Sequence, residues 1–136
     1  MWRSVLGFLA GMVTSMVVIT VVELGGHSLF PHITQLHDSD PMKDLISNLP
    51  LGALIAVLFG WALGPFAGGY VASTIARDVR PALAVGFCMT MAGVLTMLHI
   101  AHPIWMWVCG ILIPIPAAWF GSRLVPGTRS GAMAGV

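Results

Sequence analysis

Charge is what this sequence most conspicuously lacks. Only 8% of its 136 residues are Asp, Glu, Lys or Arg, against roughly a quarter in an ordinary soluble domain. With 57% hydrophobic residues, a soluble fold would be unable to cover its surface with polar side chains. Basic runs and interleaved aromatic patches are missing as well, so nothing points to a nucleic-acid partner. Cysteine is scarce: Cys88 and Cys109 are the only two, and no Cys-x-x-Cys pair exists to form a metal knuckle or redox motif. They fall in the first halves of two consecutive apolar segments. Antiparallel neighbours would place them in opposite leaflets, which argues against a disulfide. Both read as small buried apolar residues. No nucleophile–base pair and no Gly-rich phosphate loop is present, so an enzyme is the less favoured class.

The uncharged runs that remain set the architecture. No charged residue occurs from Ser4 to Val22, from Leu45 to Ala76, or from Pro81 to Ser122. A bilayer core about 30 Å thick needs about 20 apolar residues as helix. The first two runs each fit one crossing, and the third fits two with a break at "HIAHP". The expectation is an all-α integral membrane protein, one membrane domain over 1–136. Its four transmembrane helices fall at about 4–25, 51–76, 82–101 and 104–122. The N-terminal run exceeds the usual signal-peptide core of about 7–15 residues and lacks an A-x-A site, so it counts as the first span.

Positive charge collects on the cytoplasmic side of membrane proteins. Arg3, Arg77, Arg80, Arg123 and Arg129 share one face of this topology and Lys43 alone lies on the other, which places both termini in the cytoplasm. All five histidines then fall on the outer side. The outer segment 26–50 contains "SDPMKDLISNL": Asp40 can cap a helix, Pro41 suits its first position, and Met42, Leu45, Ile46 and Leu49 share one face. A short outer amphipathic helix is expected there. The tail 124–136 has no periodic pattern and reads as flexible.

Within the second span every fourth residue is bare: Gly52, Ala56, Gly60, Gly64, Gly68, Ala72 and Ala76. Small residues let helix backbones approach where lipid supplies no hydrophobic drive, so this row reads as a packing groove. A neighbouring span of the same chain or a second copy could lie in it. Span one carries a shorter version in Gly7, Gly11 and Ser15. Pro65 in span two, with Pro114 and Pro116 in span four, each remove a helical hydrogen bond and are expected to kink their helices. Trp61, near the middle of span two, reads as core packing or a gate.

One constellation carries chemistry. Glu23 and His27 are four apart at the outer end of span one, and His99 and His102 three apart at the outer end of span three. If those spans are neighbours, a carboxylate and three imidazoles converge. Imidazole and carboxylate suit a transition metal, and without metal a His–Glu pair can exchange protons near neutral pH. This site is the alternative to a non-enzymatic membrane subunit.

The pattern "VELGGHSLFPHI", a short acidic loop, then "LPLGALIAVLFGWALGPFAGGYVA" resembles a set of small bacterial membrane proteins with four predicted spans. These share a glutamate ending the first span and a G-W-x-x-G-x-x-x-G-G second span. The resemblance implies a bacterial inner-membrane location and draws attention to Glu23, Trp61, Gly64, Gly68 and Gly69. It supplies no activity or cofactor. Taken together, the expectation is a lipid-embedded subunit, homo-oligomeric or part of a larger membrane complex, and a candidate channel or transporter.

Overall fold

The structure, a computed structural model, describes residues 1–29, 51–99 and 102–128. Its elements are α1 (Trp2–Leu29), α2 (Leu51–Ala76), α3 (Arg80–His99), α4 (Ile104–Leu112) and α5 (Pro114–Arg123). Four stretches are long and apolar enough to cross a membrane: Trp2–Gly26, Leu51–Ala76, Arg80–His99 and Ile104–Arg123. The last consists of α4 and α5 in succession. The outer amphipathic helix expected at "SDPMKDLISNL" lies outside the described residues.

α1 continues past Gly25 and Gly26 to Leu29, beyond the end expected near residue 25. Each interior glycine costs a helix about 1 kcal/mol relative to alanine. Leaving backbone groups unpaired in apolar surroundings costs several, so the helix goes on. α3 starts earlier than expected, at Arg80, and is described as far as His99. Arg77 ends α2 with φ 58° and donates its N–H to the Ser73 carbonyl at 2.8 Å. The Asp78 carboxylate then accepts the Arg80 N–H at 3.0 Å, capping the start of α3. Two helices thus reverse direction within three residues.

The small-residue row is filled from inside the chain. Gly60, Gly64, Gly68 and Ala72 are buried, and the helix lying on them is α1. A Cβ on Gly64 would stand 3.0 Å from the Ser15 carbonyl oxygen, and one on Gly11 2.7 Å from the Gly68 carbonyl oxygen. A Cβ on Gly7 would stand 2.6 Å from the Ala72 carbonyl. The two glycine-bearing faces therefore bring backbone against backbone. Gly52 is exposed, and Ala56 and Ala76 are half-buried at the ends. A second groove was not foreseen: α5 lies on the neighbouring face of α2, where a Cβ on Gly69 would meet Ala118 Cα at 2.7 Å and the Ala118 carbonyl oxygen closer still.

The prolines act differently from one another. α2 runs unbroken through Pro65. In the last span Pro114 ends α4 and begins α5, with Ile113 between them. Pro116 falls in the first turn of α5, where a missing N–H is normal, so "IPIP" makes one break rather than two. The start of the tail is also ordered. Val125 is buried, and the Thr128 hydroxyl donates to the Val125 and Ser122 carbonyls at 2.6 and 3.2 Å.

Two clusters form the interior. Ala72, Ala82, Val85 and Met89, with Phe8, Met12 and Ile19, fill the end that carries the arginines. Leu54, Met97 and Met106, with Val57, Leu58, Trp61 and Trp107, fill the Glu23 end. Large apolar side chains cover the outside, among them Leu9, Phe59, Phe87, Leu98 and Phe120.

Candidate functional site: a cavity at the Glu23 end

Between the two clusters the helices do not close. A cavity of about 340 Å³ opens there, within the usual range of small-molecule sites at its low end. α1 contributes Met16, Ile19 and Glu23. α2 contributes Val57, Trp61 and Pro65, and α3 contributes Met89, Ala92, Gly93 and Thr96. His102, Gly110 and Pro114 complete the wall. Each of the first three helices lines it over seven or eight residue steps, so its depth is about 10–12 Å at 1.5 Å per residue.

Local sequence explains the space. α1 packs on the rest of the bundle through Phe8 and Met12 at the arginine end, whereas Met16 and Glu23 are exposed. Gly93 has nothing within 4 Å of where a Cβ would sit. Gly110 is the opposite case: a Cβ there would press on the Met97 methyl and stand 2.8 Å from Trp61 Cζ3. Bare Gly110 lets the indole of Trp61 lie along the wall, with its ring 6.2 Å from that of His102 and tilted by 43°.

The polar groups are few and mostly acceptors. Glu23 supplies a carboxylate. The Thr96 hydroxyl already donates to the Ala92 carbonyl at 3.0 Å. Pro65 has no N–H for the Trp61 carbonyl, and Pro114 none for the Gly110 carbonyl. All four residues line the cavity. Two backbone carbonyls thus lose their helical donors at this depth. Among the described residues no Lys or Arg lines the cavity.

Of the four residues expected to converge, the structure brings Glu23 and His102 to this cavity. His99 is exposed, outside the lining, with Nδ1 2.8 Å from the Leu95 carbonyl oxygen. α3 ends at His99 and α4 begins at Ile104, so His99 and His102 do not share a helical face. His27 lies on α1, one turn beyond Glu23, and its side chain lies outside the described residues. Among the described residues no group of three His, Cys, Asp or Glu side chains could hold a metal ion, and catalytic zinc sites use three. Cys88 and Cys109 are free thiols.

Sequence reading missed Thr96, Gly93, Met16 and the two freed carbonyls. The last had a signal: a residue four before a helical proline loses its donor, and the spacings Trp61–Pro65 and Gly110–Pro114 show it. No protein-family model matches this chain, and no match is found among curated proteins or solved structures.

Proposed function

We propose that this chain is a four-span protein of a bacterial inner membrane, with both termini cytoplasmic, that binds a small molecule inside its bundle as a transporter- or channel-type module. The apolar exterior supports the membrane setting, since exposed patches of this extent mark lipid or partner contact. The arginine end, with Arg3, Arg77, Arg80 and Arg123, supports the orientation. The cavity then lies in the outer half of the bilayer, its mouth at Glu23 and His102 and its floor at the prolines near the middle.

The observation that carries this reading is the cavity itself: an opening in the bundle with a carboxylate at its rim and two helical prolines in its wall lower down. Ionisable groups at membrane depth and broken helices near the midplane are features of solute sites. Because α1 occupies the row on α2, the reading requires no second copy.

The test is thiol accessibility. In a Cys88→Ala, Cys109→Ala background, Gly93→Cys and Thr96→Cys should react from outside with a membrane-impermeant maleimide. Leu95→Cys, at the same depth but exposed on the apolar surface, should react at least roughly tenfold more slowly, because a thiol in hydrocarbon resists ionisation. Equal rates at all three positions would contradict the reading.

A further inference from the structure

The geometry points to a cationic amphiphile, one ammonium head on an apolar tail, as the class of ligand this cavity takes, admitted sideways from the outer leaflet between α1 and α3. This deepens the reading above and depends on it.

The opening has two rims. Met16 and Glu23 form one, on α1; Ala92 and Thr96 form the other, on α3. All four are exposed. Gly93 sits between the latter two with open space at its Cβ position, so α3 presents no side chain where the slot is widest. Towards the arginine end Phe8 and Met12 close the gap against the buried cluster of Ala82, Val85 and Met89. In a bilayer this slot faces lipid. It runs from the headgroup level at Glu23 down towards the middle, the same direction as an outer-leaflet lipid tail.

Charge selects the occupant. Among the described residues Glu23 and His102 are the only titratable side chains lining the cavity, and Glu23 makes no ion pair there. An ammonium placed at the rim meets a carboxylate, and a charge-assisted hydrogen bond is roughly twice as strong as a neutral one. Its tail meets Ile19, Met89 and the indole of Trp61. A zwitterionic phospholipid head brings a phosphate to the same rim, where no Lys or Arg among the described lining residues can pair with it. An anion is repelled, and a neutral alcohol gains no ionic partner.

The experiment uses the full chain in phosphatidylcholine nanodiscs and calorimetric titration against empty discs. The probes are decylammonium, decanol, decanoate and decylphosphocholine. Decylammonium should bind best, by roughly tenfold or more, the scale of a hydrogen bond to a charged group. Glu23→Gln should remove that advantage and leave decanol unchanged, with Glu23→Asp restoring part of it. Gly93→Leu, whose Cβ enters open space and whose branches reach into the slot, should abolish binding of every probe. If decanol or decylphosphocholine binds as tightly as decylammonium, or Glu23→Gln changes nothing, the cationic class is wrong while small-molecule binding survives. If no probe binds the wild-type chain above empty discs, both fall together.

Discussion

The glycines of this bundle fall into two groups that a single added methyl should separate. Gly69 is the severe case. Its would-be Cβ stands 2.7 Å from Ala118 Cα and 2.8 Å from the Ala118 carbonyl carbon. Ordinary contact begins at 3.4 Å, so α5 has to retreat by about 0.7 Å, the difference between 3.4 and 2.7. That figure is a lower bound, because the Ala118 carbonyl oxygen is nearer still; every atom in the way belongs to backbone, so no side chain can swing aside. Overpacking of this kind costs about 1–3 kcal/mol, which lowers the folded-to-unfolded ratio roughly 5- to 150-fold. Gly93 is the control, with open space around its Cβ position. Gly93→Ala gains helix propensity and should stabilise by up to about 1 kcal/mol. The assay is reversible unfolding in mild detergent followed by circular dichroism, with both variants measured beside wild type. A Gly69→Ala protein as stable as Gly93→Ala would refute the packing of α5 against α2.

Three further outcomes follow from the same structure. Ser15 is fully buried with its Oγ unpartnered, so Ser15→Ala should be neutral or stabilising by up to about 1–3 kcal/mol in the same unfolding assay. Asp78→Ala removes the cap on Arg80 and should destabilise by about 0.5–2 kcal/mol, with Asp78→Asn close to wild type. Gly60→Ala places a Cβ 3.4 Å from Val22 Cγ1, an ordinary contact, and should be tolerated where Gly64→Ala is not.

Much of this architecture is legible in the sequence because run length and helical spacing are local properties. The uncharged runs locate four apolar helices within a few residues, and the row from Gly60 to Ala72 marks a close helix crossing. What occupies that row depends on α1, whose Gly7, Gly11 and Ser15 present a matching bare face. The pairing is a long-range fact that no local window contains. The second groove at Gly69 escaped for the same reason, because Ala118 is distant in sequence and unremarkable in type. The ends of helices depend on competition between propensity and unpaired backbone, so Gly25 and Gly26 looked like a stop and are not.

The site was half legible. Glu23 and His102 stood out as ionisable groups near one end, and both line the cavity. His99 was grouped with His102 on the assumption of one continuous helix. His102 is not helical; it lies before α4 with its ring near Trp61, whereas His99 on α3 is outside the lining. The cavity is an absence of packing between α1 and α3, where Gly93 has open space at its Cβ position. Gly93 and Gly110 are its only sequence traces, and they serve opposite purposes.

The occupancy of that cavity is the most direct test of the account. A decylammonium carrying a photoreactive diazirine at the end of its tail, bound to the full chain in nanodiscs, should place its head at Glu23 and its label near the floor. Peptide mapping should then find the label on residues around Pro65, Met89 and Pro114, and Gly93→Leu should erase it. Label spread instead over the exposed apolar residues Phe59, Leu95 and Leu98, unchanged in Gly93→Leu, would show a probe dissolved in bulk lipid and would contradict a binding site in this bundle.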